Sequence, residues 1–197
     1  MAAWSDTAVS TTAQQRYLSD RLQQRQLMLF LGSETPTGFS WLTSVDELVQ
    51  LPWQAIYTTT RNQQVENKCR QYRVPHEVID QPQQQSGVGN GRLPIYKLYG
   101  SPNQTVLSGQ RLDLPHWQEF SRQIRAGLES GLTLLAICAS AAELAMVHES
   151  CYSDVVHNKM WISDADISEE GQDEYRTLGW RVLPDTPDAL SRILRDL

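Results

Sequence analysis

Five consecutive apolar residues, Leu27–Leu31 (LMLFL), run into Gly32 and Ser33, and a second run, Leu132–Ile137 (LTLLAI), apolar except for Thr133, leads into Cys138 and Ala139. A run that is apolar on both faces offers no side to water. It fits a strand covered by helices above and below, which is the setting of a parallel sheet. Around these two runs, short strand-like stretches alternate with amphipathic ones. Ala55–Thr60 (AIYTTT) is β-branched and aromatic and reads as a strand. Glu77–Asp80, Pro94–Leu98, Met160–Ser163 and Arg181–Leu183 are further strand candidates.

The stretches between them carry helical spacing. Tyr17, Leu18 and Leu22 form a stripe within the polar residues 12–26, and Val45, Leu48 and Val49 suggest a short helix before Pro52. Trp117, Phe120, Ile124 and Leu128 recur at intervals of three and four, which predicts an amphipathic helix over 115–130 behind Pro115. A small-residue helix is expected from Ala139 to about His148, another from Ser168 to Leu178 with its stop at Gly179, and a last one behind Thr186-Pro187. Residues 81–92 are a polar loop with glycines. The alternation predicts an α/β fold: a three-layer, Rossmann-like parallel sheet of about six strands, helices on both faces, and no small zinc subdomain. Residues 1–26 form an arm and a helix, and 27–197 form one domain.

Composition narrows the class of partner. The net charge is −6, unevenly placed: residues 1–140 carry 12 basic and 11 acidic groups, residues 141–197 carry 5 and 12. An acidic final third argues against a nucleic-acid footprint. No apolar run reaches membrane-spanning length, and the first residues lack the basic start and apolar core of a secretory signal, so a cytoplasmic domain is expected. The three cysteines, Cys69, Cys138 and Cys151, include no CxxC pair, and the four histidines, His76, His116, His148 and His157, show no ligand spacing. Neither a disulfide nor a metal site is expected.

In an open parallel sheet, ligands bind where strands end and the chain crosses to a helix. The candidates are therefore Gly32, Ser33 and Glu34; Thr58, Thr59 and Thr60; Tyr99, Gly100 and Ser101; Cys138, Ala139 and Ser140; and Ser163 with Asp164. Plainer roles exist for several. Three threonines suit a strand by propensity alone, the glycines suit sharp turns, and the acids of 164–174 suit a solvated helix start.

Taken in order, these segments resemble the sirtuin fold family, particularly the sirtuin-like domains of bacterial NAD-consuming defence proteins. LFLGSE (29–34) is similar to the glycine-rich opening LFLGAG, and PWQAIYTTT (52–60) to a W-x-x-I-x-T-T-N-x-D strand. KLYGS (97–101) resembles K-L-H-G-S, and LLAICAS (134–140) stands in the place of an L-I-G-Y-S segment. MWISDAD, GWRVLP and a closing helix complete a resemblance that runs from Leu27 to Leu197. It implies a nucleotide site built from Gly32, Ser33, Glu34, Thr58, Thr59, Thr60, Gly100, Ser101, Ser140, Ser163 and Asp164, for NAD or an ADP-ribose-like nucleotide.

Four departures bear on chemistry. Thr60 stands where the family has its asparagine, with Asn62 two places late, and Tyr99 replaces the histidine that serves as general base. A phenol with a pKa near 10 is a poor base at neutral pH. Ser33-Glu34 replaces Ala-Gly, putting side chains and a negative charge where a pyrophosphate would approach. Only 25 residues separate Gly32 from Thr58, too few for the second subdomain that forms a deacylase groove. The resemblance thus implies a catalytically degenerate domain acting through a bound nucleotide, a protein partner or self-association, and the charge balance and apolar run lengths leave out nucleic acid and membrane. Two alternatives stand beside it: an active NAD glycohydrolase or related nucleotide hydrolase, and a purely structural subunit.

Overall fold

The computed structural model describes residues 11–32, 48–60, 62–80, 91–98, 115–137, 139–150, 158–162 and 169–183. In chain order the elements are α1 (Thr11–Gln23), β1 (Leu27–Leu31), β2 (Ala55–Thr58), α2 (Gln64–Gln71), β3 (His76–Ile79), β4 (Leu93–Lys97), α3 (Pro115–Glu129), β5 (Thr133–Ile137), α4 (Ala141–Ser150), β6 (Lys159–Ile162), α5 (Glu169–Thr177) and β7 (Arg181–Leu183). All strand pairs are parallel, in one sheet ordered β3-β4-β2-β1-β5-β6-β7. The sheet has seven strands where the sequence suggests about six.

The uniform apolarity of β1 and β5 follows from having two cores to serve. Leu27, Leu29 and Leu31 face one side with Leu135 and Ile137, packed beneath Leu18 and Leu22 of α1 and Val65 and Cys69 of α2. Met28 and Phe30 face the other with Leu134 and Ala136, against Phe120, Ile124 and Leu128 of α3 and Leu144 and Val147 of α4. The helix from the N-terminal arm is thus part of the core. Tyr17 Oη meets Thr133 Oγ1 at 3.0 Å, and Arg21 donates to the Gly131 carbonyl at 3.1 Å, tying α1 to the start of β5.

Several boundaries differ from expectation by a residue or two. β2 stops at Thr58 because the Thr58 hydroxyl takes the Thr60 N–H at 3.1 Å and turns the chain. α2 has no counterpart in the sequence reading. Its buried face is Val65, Glu66 and Cys69, so two of the three residues it hides are a carboxylate and a small thiol, and no apolar stripe marks it. Leu48 and Val49 are buried as a short helix would place them, with Trp53 Nε1 donating to the Leu48 carbonyl at 2.6 Å. The closing helix behind Thr186-Pro187 and the loop 81–90 lie outside the described residues. Among the described residues no helix is long and apolar enough to cross a membrane.

Candidate functional site at the carboxyl edge of the sheet

The strand order fixes where a ligand site can be. From β1 the chain steps to β2, goes out to the edge at β3 and returns to place β4 between them, then crosses to the far side of β1 to lay down β5, β6 and β7. The reversal lies between β1 and β5, and a crevice opens outside the carboxyl ends of strands at such a point. Three backbone bonds carry the sheet one residue past its strands there. Gly32 N donates to the Ile137 carbonyl at 3.0 Å, Thr59 N to Leu31 at 3.2 Å, and Leu98 N to Thr58 at 2.9 Å.

Thr59 is 3% exposed and turns its hydroxyl toward the side of the sheet covered by α4. That hydroxyl donates to Glu143 Oε1 at 2.5 Å. Glu143 is itself 6% exposed, and its other oxygen accepts from both the backbone N–H and the hydroxyl of Ser140, at 2.9 and 3.0 Å. The Ser140 hydroxyl in turn accepts from the Glu143 N–H at 3.2 Å. Ser140 and Glu143 are thus the two halves of a capping box on α4. Because Thr59 follows β2 and Glu143 follows β5, the Thr59–Glu143 bond joins the two neighbours of β1 across its end.

A second buried carboxylate serves the opposite face. Lys97 ends β4, in register with Thr58, and is fully buried. Its ammonium donates to Glu66 Oε1 at 2.7 Å and to the Asn62 carbonyl. Glu66 sits in the first turn of α2 with its side chain 4% exposed, and no donor among the described residues reaches Oε2. Asn62 Oδ1 accepts the Gln64 N–H at 3.2 Å, just ahead of the same helix. The Thr58 and Thr60 hydroxyls bond to each other at 2.8 Å, and Thr60 is half-buried. Next to Glu66 on α2, the thiol of Cys69 is pushed up to about 11 by burial and by the neighbouring carboxylate. It stays a protonated core group at neutral pH.

Of the residues singled out from sequence, Gly32, Thr58, Thr59, Thr60 and Ser140 meet at this edge. Ser33, Glu34, Tyr99, Gly100, Ser101, Cys138, Ser163 and Asp164 lie outside the described residues. The sequence reading missed Glu143, Lys97 and Glu66. The first had a signal in Ser140-x-x-Glu143, a capping box in plain view. A lysine between Tyr96 and Leu98 in an apolar strand was a signal too, since a charge there must find a partner. Glu66 had none, because it lies in a polar segment. Among the described residues, no three histidine, cysteine, aspartate or glutamate side chains gather as a metal site requires. Neither a protein-family model nor a curated protein matches this chain.

Proposed function

We propose that this protein is a catalytically degenerate sirtuin-like module that holds an NAD- or ADP-ribose-like nucleotide at the carboxyl edge of its sheet without cleaving it. Occupancy then serves recognition of a protein partner or of a second copy, in a role akin to bacterial anti-phage defence. The observation that carries the reading is the meeting of Gly32, Thr59 and Ser140 at the reversal between β1 and β5, the place where parallel sheets take nucleotides. The chemistry of the edge supports binding over turnover. Glu143, a carboxylate that could act as a base, spends its oxygens on Thr59 and on capping α4. Thr60 and Tyr99 stand where the resembling family carries its positioning asparagine and its histidine.

The test is NAD consumption by the purified protein, by Tyr99→Phe, and by Thr60→Asn combined with Tyr99→His. Loss of a general base lowers a rate by about 10² to 10⁴, so the parent is expected to stay at background. Sustained turnover by the parent, abolished in Tyr99→Phe, would show an unusual hydrolase instead.

A further inference from the structure

The two helices that follow β2 and β5, the strands on either side of β1, share a detail with consequences for what can bind. α2 has Gln63 as its N-cap and α4 has Ser140, so Glu66 and Glu143 are each the third residue of their helix. Both turn inward to the strand ends and are at least nine-tenths buried. A helix N-terminus ordinarily attracts an anion such as phosphate. Here each of these two helices already carries a carboxylate of its own in its first turn. The Glu143 carboxylate is supplied with donors by Thr59 and Ser140. Glu66 is different: Oε1 pairs with Lys97, while Oε2 is buried and unmatched among the described residues.

A buried carboxylate oxygen without a donor is costly, so something bearing an O–H or N–H is expected to complete it. The linked phosphates of a dinucleotide cannot do so, since they bring only acceptors and a like charge. A sugar hydroxyl can. Thr58 stands beside Lys97 in register, and its hydroxyl is bonded to that of Thr60, which is half-buried, so polar groups run from the accessible rim inward to the ion pair. We infer that Glu66 Oε2 is the acceptor for a ribose hydroxyl, and that this edge selects its ligand by the uncharged, hydroxyl-bearing nucleoside and not by the phosphates. The inference rests on the nucleotide-binding reading above and adds which part of the ligand the protein recognises.

The probes are adenosine, 2′,3′-dideoxyadenosine and inorganic pyrophosphate, with NAD and ADP-ribose as references, each titrated calorimetrically into the full chain. A site built around a hydrogen bond to a hydroxyl rejects the analogue that lacks it. Adenosine is therefore expected to bind at least about tenfold more tightly than the dideoxy nucleoside, and pyrophosphate alone is expected not to bind. In Glu66→Gln, which keeps Oε1 as an acceptor and replaces Oε2 with an amide donor, the preference should shrink toward unity. Equal affinity of the parent for the two nucleosides means that an internal water satisfies Oε2, and that result overturns the inference. Binding of pyrophosphate in preference to adenosine overturns it as well. The parent comparison decides the matter even if Glu66→Gln fails to fold. Failure of NAD and ADP-ribose to bind at all would instead remove the underlying functional reading.

Discussion

Lys97 and Glu66 illustrate how one buried pair sets the cost of a substitution. Their side chains are 0% and 4% exposed, so solvent does little to screen them. Lys97→Met leaves the Glu66 carboxylate buried and alone, and is expected to cost about 3–5 kcal/mol. Lys97→Met with Glu66→Leu removes both charges and should recover most of that loss, which urea unfolding of the two variants would reveal. A double variant no more stable than the single one would contradict this account of the pair. A pH effect belongs to a different cluster. At the opposite edge, Lys159 opens β6 and is 3% exposed. Its ammonium lies 3.1 Å from His148 Nδ1, donates to the Leu178 carbonyl at 3.0 Å and sits over the Trp180 ring. An ammonium can donate to that nitrogen only while the imidazole is neutral. Burial, and then the Lys159 charge, hold the His148 pKa below its usual value, while the Leu178 backbone and Glu149 pull the other way. The unfolded chain therefore binds the proton first. The stability from this contact is complete above about pH 6.5 and is lost as the pH falls through the depressed native value. His148→Gln, which keeps an acceptor and cannot titrate, should flatten the slope of unfolding free energy as the pH falls below about 6.5. At this scale the sequence disclosed residues whose type fits their place, such as Gly32, Thr59 and Ser140. It concealed Glu66, whose partner Lys97 is 31 positions away and is matched to it only by the fold.

The helices end in a shared way that local sequence only half discloses. α3 and α5 close on glycines with positive φ, Gly131 at 90° and Gly179 at 76°. In each case the glycine N–H bonds back three residues and the next N–H bonds back five, the paired bonds of a Schellman motif. α1 and α2 close with the same bonds, but on Arg25 at φ 53° and Arg73 at φ 56°. A side chain in that conformation carries strain that glycine does not. Gly179→Ala should thus cost about 1 kcal/mol, and Arg73→Gly should cost nothing or add up to about 0.5 kcal/mol, both measurable by urea unfolding. A clear loss of stability in Arg73→Gly would count against the assignment. α5 was legible in this way, with the stop at Gly179 as expected, whereas α3 was legible from the spacing of Trp117, Phe120, Ile124 and Leu128. α2 was not, since an arginine closes it and a glutamate occupies its buried face. Strands were legible wherever both faces are apolar: β1 and β7 have the expected bounds. β2 was read as too long, because threonine favours a strand by propensity and yet, at Thr58, its hydroxyl ended one.

For the whole molecule, alternation of elements was enough to indicate a parallel sheet with two covered faces. Strand order was not indicated, since β4 inserts between β2 and β3 and nothing local records that choice. Order is what matters for function, because it places the reversal beside β1 and brings Thr59 across to Glu143. Glu143→Ala should therefore weaken two things together: the cap of α4, by about 1 kcal/mol or more, and the fixed position of Thr59 at the crevice. The stability loss would show in urea unfolding, and the positional loss in a weaker affinity for ADP-ribose. The central claim is that this edge binds a nucleotide and leaves it intact, and the most direct measurement is the melting temperature of the purified chain with NAD, paired with recovery of the NAD afterwards. At about 100 times the dissociation constant, binding should add roughly 2.7 kcal/mol, a rise in Tm of roughly 5–10 °C for a chain of this size, with the NAD recovered unchanged. A melting temperature unmoved by millimolar NAD and ADP-ribose, or NAD consumed during the experiment, would contradict it.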